Sequence, residues 1–280
     1  MSKVSSQKST PGVQQWLQAQ RAAGFDSLAL YIALRDSGWA HEVACGLVGL
    51  QPDEVARANG IESAVPWPLG AGERAVLDGG DRPVQALAVM RSPNIVVLGN
   101  LPSPQECQAL IEAARPRLSR SLTVSVKTGG EEENAARTSQ GMFFARRENE
   151  VVARIEARLA HLLGWPEDQG EDLQILRYGP GAEYKPHYDY FDPREPGTPS
   201  IVQRGGQRVA TVVMYLNEPE AGGGTVFPDV RFECMPRQGN AVFFNYARPH
   251  PSTRSLHGGS PVVRGEKWIA TKWLRQRTFA

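Results

Sequence analysis

The chain of 280 residues, 41% of them hydrophobic, is long enough for one large domain or for one domain with a smaller companion. Thirty-one basic against 30 acidic residues leave a formal net charge of +1, which removes nucleic acid and membrane surfaces as default partners. The three cysteines, Cys45, Cys107 and Cys234, are far apart and form no C-x-x-C pair, which argues against a disulfide framework or a thiolate zinc site and fits a reducing compartment.

The opening stretch MSKVSSQKSTPGVQQW lacks an apolar signal core, and no run approaches the roughly 20 apolar residues of a membrane helix, so the expected location is cytoplasmic. From Gly12 to about Ala58, apolar residues including Trp16, Leu17, Phe25, Leu30 and Leu34 recur at helical spacing, broken at Gly24 and at Asp36-Ser37-Gly38. Three or four short helices are predicted, forming a small helical domain over residues 1–60. With no repeat period or charged face, these helices read as a packing extension rather than a partner-binding module. Residues 61–91 are rich in Pro and Gly and read as a linker with a possible strand near residues 84–90.

The second domain, residues 92–280, opens with the strand NIVVLG and a helix marked by Ser103 as N-cap, Pro104 at the first helical position and Glu106 completing a capping box. A second helix follows in ENEVVARIEARLAHLLG, with Val151, Ile155, Leu159 and Leu162 on one side and Gly164 as its stop. Beyond it the pattern changes. DLQILRY, AEYKPHYDYF, RVATVVMYLN, GTVF, VRFECM, NAVFFNY and KWIATKWL are short β-branched and aromatic runs between Gly, Pro and Asn turns, the signature of an antiparallel sandwich or barrel. The predicted class is α+β, a jelly-roll core buttressed by helices, with the helical domain in front.

Within YKPHYDYF, His187 and Asp189 stand two residues apart, and on a strand such positions face the same way. Two histidines and a carboxylate on one octahedral face hold iron(II) with positions left open for O₂ and a cosubstrate. Two histidines lie downstream. His250 sits between prolines in a turn-like segment, whereas His257 follows a strand-like run and precedes a Gly-Gly turn, which makes His257 the better third ligand. Lys267, ten residues further on, is folded back by GGSPVVRGE, and a buried ammonium there can pair with the far carboxylate of a dicarboxylic cosubstrate. A lone H-x-D triplet is a weak signal; the distal histidine and the lysine in an all-β context carry the weight. Zinc fits less well, since structural zinc favours cysteine and catalytic zinc leaves Lys267 without a role. His41 and His161, on predicted helices, read as ordinary surface or packing residues.

LRYGPGAEYKPHYDYF, RVATVVMYLNEPEAGGGTVFPD, GNAVFFNY and SLHGGSPVVRGEKWIATKWLR together resemble the prolyl 4-hydroxylases, iron(II)- and 2-oxoglutarate-dependent dioxygenases built on a double-stranded β-helix. The resemblance runs from about Ser92 to Arg277. It implies that His187, Asp189 and His257 ligate iron, that Lys267 and Tyr178 bind the distal carboxylate of 2-oxoglutarate with Thr211 as a further contact, and that Tyr184, Trp273 and Arg275 face the substrate. Alternation from Trp268 also permits Trp273 as plain core, and Tyr178 and Thr211 as strand residues satisfied within the barrel. The resemblance further implies O₂ as cosubstrate, ascorbate as a supporting reductant, succinate and CO₂ as coproducts, and a proline-containing peptide or protein as substrate. Two rival readings are a hydroxylase of a free amino acid or other small molecule on the same core, and a non-catalytic partner-binding protein. Two polar segments, residues 127–141 and 192–207, are expected to act as lids, with Glu131-Glu132-Glu133 as a solvated loop tip.

Overall fold

Helix starts and stops in the first 50 residues follow from groups that satisfy the free backbone at helix ends. In the computed structural model, which describes residues 10–37, 39–50, 65–120, 122–124, 131–133 and 138–280, the side chain of Thr10 accepts from Val13 N at the start of α1 (Pro11–Ala22). Asp26 does the same for Ala29 N at the start of α2 (Ser27–Asp36), and Gly49, with φ of 78°, ends α3 (His41–Val48). Leu17, Leu30, Ile32, Leu34, Ala44 and Val48 are buried together in this unit, Met1–Ser63. A fourth helix would fall on residues 51–58, outside the described residues.

The second unit spans Ala64–Ala280. β1 (Val76–Asp78) and β2 (Pro83–Arg91) form a hairpin, and β2 pairs on to β3 (Asn94–Gly99), so much of the stretch read as a linker belongs to the main sheet. The Pro and Gly content that suggested a linker marks the hairpin turn, where Gly80 takes φ of 85° and donates its N–H to Asp78 Oδ1 at 2.8 Å.

In α4 (Pro104–Ala114) the capping box forms as expected: Ser103 Oγ accepts from Glu106 N at 3.1 Å, and the Glu106 carboxylate accepts from Ser103 N at 2.8 Å. Next come β4 (Ser119–Arg120), β5 (Leu122–Val124), β6 (Glu131–Glu133) and β7 (Gln140–Phe144), then α5 (Glu150–Leu163), capped by Asn149 and stopped at Gly164 with φ of 59°. β6 pairs with β5, so the three glutamates form a strand rather than a loop tip; pairing overrides their low strand propensity. Residues 127–130 and 134–137 of the first expected lid lie outside the described residues.

The remaining strands are β8 (Leu173–Tyr178), β9 (Tyr184–His187), β10 (Arg208–Tyr215), β11 (Ala221–Gly222), β12 (Thr225–Phe227), β13 (Phe232–Cys234), β14 (Ala241–Asn245), β15 (His257–Gly259), β16 (Val262–Arg264) and β17 (Lys267–Arg275), with the one-turn helix α6 (Thr198–Ile201) before β10. Named strands pair antiparallel, in a nine-stranded sheet of order β1-β2-β3-β14-β10-β17-β8-β7-β4, a four-stranded sheet of order β13-β12-β15-β9, and the two-stranded ribbons β5-β6 and β11-β16. Successive residues of β10, β14 and β17 alternate between two cores. One, with Met214, Phe243 and Trp268, packs under Leu110 of α4 and Ile155 and Leu159 of α5. The other, with Leu176, Val213, Tyr215, Phe227, Phe244 and Ile269, joins the two sheets. This is the α+β jelly roll that the strand pattern predicted.

A buried charge network ties the helices to the sheet. Arg158 of α5, its side chain 1% exposed, pairs with Glu106 of α4 at 2.8 Å and with Asp81 of the β1–β2 turn. Burial opposes the Glu106 charge, but Arg158 and the Ser103 N–H outweigh it and lower the Glu106 pKa to about 2. Arg158→Met leaves Glu106 buried without its main partner, and urea unfolding should show a loss of about 3 kcal/mol.

Candidate active site

β9 pairs with β15 in a register that sets His187 opposite His257, their ring centroids 4.4 Å apart. Asp189, two residues beyond, turns its carboxylate toward both, Oδ1 lying 3.5 Å from His187 Nε2 and Oδ2 3.4 Å from His257 Nε2. Each imidazole directs Nδ1 at a backbone carbonyl: His187 at Lys185 O, 2.9 Å away, and His257 at Ser255 O, 3.0 Å away. A carbonyl can only accept, so Nδ1–H donates, which leaves Nε2 of each ring as the atom that faces the carboxylate and is open to a cation. Two imidazole nitrogens and a carboxylate oxygen within 4.8 Å of one another suit a divalent cation such as iron(II). Burial lowers the His257 pKa to about 4 against the pull of Asp189, so the ring is neutral at pH 7 and sheds no proton on binding a cation. Burial also works against the Asp189 charge, but His257, His187 and Arg208 outweigh it and hold the carboxyl well below the usual carboxylate range.

Lys267 opens β17 opposite Tyr178 of β8. It is 3% exposed, and its ammonium lies 5.4 Å from the Tyr178 ring centroid and 5.9 Å from that of Tyr215, with no carboxylate in ion-pair range among the described residues. Burial lowers its pKa to about 8. An unpaired buried cation is costly unless a ligand completes it. Lys267 and the three candidate ligands line one cavity of about 430 Å³, mouth included, with Tyr178, Tyr184, Thr225 and Trp273 also in its wall. The cavity thus joins a set of cation ligands to a buried ammonium, the two kinds of partner that a 2-oxo dicarboxylate calls for.

The model of the 2OG-Fe(II) oxygenase superfamily matches residues 173–275. Prolyl 4-hydroxylase 1 of Arabidopsis thaliana is 42% identical over 211 residues, 69% of this chain and 73% of the relative. Probable prolyl 4-hydroxylase 7 of the same plant is 36% identical over 217 residues, 70% of this chain and 67% of the relative. The chain belongs to the prolyl 4-hydroxylase family. Among solved structures, a viral collagen prolyl hydroxylase of Paramecium Bursaria Chlorella virus-1, in its 2OG complex, is 31% identical with a TM-score of 0.50, covering 65% of this chain and 95% of that one. As a member of this family the protein is a 2-oxoglutarate-dependent dioxygenase that uses iron(II) and O₂.

Within this dioxygenase, Tyr178 and Tyr184 line the cavity, and Tyr184 stacks on the His187 ring with centroids 3.7 Å apart. Trp273 serves as wall and core together: it lines the cavity, is 8% exposed, and lies under the Arg208 guanidinium at 4.1 Å. Two residues differ from expectation. Thr211 is in the wall, but its hydroxyl donates to Asp189 Oδ2 at 2.7 Å, so it serves a candidate metal ligand rather than the far carboxylate. Arg275 is 2% exposed and does not face a substrate groove. Its Nη2 donates to Ile201 O at 3.1 Å and to Arg204 O, and its Nη1 lies 3.3 Å from Glu171, because residues 198–205 fold over the end of β17. Arg277 Nη2 adds a bond to Val202 O at 3.2 Å, so the segment expected as a second lid is clamped to the C-terminal strand.

Thr225 escaped the sequence reading. It is buried in the cavity wall, where its Oγ1 accepts from the Tyr215 hydroxyl at 2.8 Å and keeps its own proton for a ligand. Only the register of β12 on β15, with Thr225 opposite Gly259, could have found it. His250 caps a turn, its Nδ1 accepting from Ser252 N at 3.1 Å, and His161 pairs at the surface with Asp78 at 3.1 Å. The His41 side chain lies outside the described residues.

With a pKa of about 8, Lys267 is charged below that pH and neutral above it. Binding of 2-oxoglutarate to the Mn(II)-loaded protein, followed by calorimetry, should therefore weaken as pH rises from 7 to 9. Lys267→Met should lose about 2 kcal/mol or more of that binding at pH 7 and show little pH dependence.

Proposed function

We propose that this dioxygenase hydroxylates prolyl residues within a peptide or protein, coupling insertion of one oxygen atom into a C–H bond to conversion of 2-oxoglutarate and O₂ into succinate and CO₂. The observation that carries the reading is the buried Lys267 ammonium, without a carboxylate partner among the described residues, in the same cavity as His187, Asp189 and His257, a combination that a scaffold has no use for. His187, Asp189 and His257 would hold iron(II), which when bound supplies the activation of O₂ toward unactivated C–H bonds. Lys267, Tyr178 and Thr225 anchor the far carboxylate of the cosubstrate and so aim its 2-oxo acid end at the triad. Leu176, Val213 and Ile269 form apolar wall around that charge pair, and exclusion of water strengthens it.

Tyr184 and Trp273 offer flat ring surfaces of the kind that pack against a pyrrolidine. Support for a prolyl substrate comes from the relatives named prolyl 4-hydroxylases and from the structural neighbour named a collagen prolyl hydroxylase. Ascorbate as a reductant that keeps iron ferrous, and a cytoplasmic location, belong to the same proposal. The three cysteines are buried and form no disulfide, as a reducing compartment allows.

Incubated with Fe(II), 2-oxoglutarate, ascorbate and proline-rich peptides, the protein should release succinate in step with peptides heavier by one oxygen atom, and His187→Ala should reduce both to background. Succinate release driven by free proline but by no peptide would move the assignment to a small substrate. Turnover that survives His187→Ala would remove the triad.

A further inference from the structure

His187 and His257 are held by the β9–β15 ladder and by their Nδ1–H bonds to backbone carbonyls. Asp189 has no such support. β9 ends at His187, so the carboxylate projects from a segment outside the ladder, although it is 6% exposed and must keep one orientation to meet both rings. What fixes it comes from a different sheet. Thr211, at the middle of β10 and fully buried, donates to Asp189 Oδ2 at 2.7 Å. The Thr211 hydroxyl also lies 2.9 Å from the Tyr246 hydroxyl. Thr211 has one proton and spends it on the carboxylate, so toward Tyr246 it accepts and Tyr246 donates.

Tyr246 itself is rigidly placed. It is 2% exposed, its N–H donates to Val209 O at 2.9 Å, and its ring packs against Phe244 and Tyr190 with centroid distances of 6.2 Å to each. The chain of bonds therefore runs one way, from a fixed phenol through a strand threonine to one oxygen of Asp189. We propose that Thr211 and Tyr246 are positioning residues that hold the Asp189 carboxylate in its cation-binding orientation before the cation arrives. The proposal rests on the triad being the iron site.

The consequence is a lower reorganisation cost on metal binding: without the threonine hydroxyl the carboxylate rotates, and Oδ2 loses the donor that satisfies it in a buried setting. Tyr246 acts at one remove, by filling the acceptor side of Thr211 and fixing the direction of its proton.

The test uses the full-length, metal-free protein titrated calorimetrically with Mn(II), a readout separate from turnover. Thr211→Val, nearly the same shape without the hydroxyl, should weaken Mn(II) binding by about ten-fold or more. Thr211→Ser should restore affinity close to that of the unaltered protein, and Tyr246→Phe should fall between the two. At saturating metal the KM for 2-oxoglutarate in Thr211→Val should stay unchanged, since general damage to the cavity would raise it. Mn(II) affinity unchanged in Thr211→Val, no rescue by Thr211→Ser, or unchanged affinity in Tyr246→Phe would each overturn the positioning role of the residue concerned. His187→Ala serves as the separate control: if it too binds Mn(II) normally, the triad assignment fails, whereas its loss alongside a normal Thr211→Val overturns the positioning role alone.

Discussion

The pairing of β9 with β15 is the constraint on which the candidate site depends. Register alone brings His187 opposite His257, two residues separated by 70 positions in the chain, and the backbone carbonyls of Lys185 and Ser255 then turn both rings the same way. The strands can approach closely enough because of the residue after His257. A Cβ at Gly258 would lie 2.8 Å from Tyr184 O and 3.0 Å from Pro186 N, both backbone atoms that cannot move aside cheaply. Gly258 and Gly259, which by sequence look like a turn, belong to β15 itself; their role is close contact between strands.

Much of the fold was legible because local rules and tertiary packing agree along most of the chain. The capping box at Ser103 and Glu106, the stop at Gly164 and the run of short strands after it all appear where sequence pattern put them. His187 and Asp189 could be paired from their spacing, although β9 ends at His187 and Asp189 lies in the bend just beyond it, and His257 could be preferred over His250 from its neighbours. The misses share a cause. The strand expected near residues 84–90 is β2, but its partner β1 was hidden by turn residues, and the stretch looks like a linker until the sheet that completes it is known. The Glu131–Glu133 strand forms through its partner β5 against its own propensity.

Side-chain roles were harder still, because they depend on what folds over each residue. Arg275 occupies a cavity-side position of β17, as alternation requires, yet residues 198–205 cover it and take its hydrogen bonds. Thr211 was rightly placed in the cavity wall, but spacing says nothing about whether its hydroxyl meets a ligand or a neighbouring carboxylate. Thr225 sits on a strand of three residues, too short for any periodicity to single it out.

β17 carries two buried lysines with opposite fates. Lys267 looks into the cavity without a carboxylate partner among the described residues, while Lys272, five residues on and so on the other face, meets Glu156 of α5 in a buried ion pair. Odd spacing makes one lysine a receptor for ligand and the other a rivet for the helix layer. Inserting a single residue between them would point both ammonium groups to one side, leaving either the helix acid stranded or the cosubstrate pocket crowded with charge. The parity of that interval is thus as much a part of the enzyme as the residues themselves.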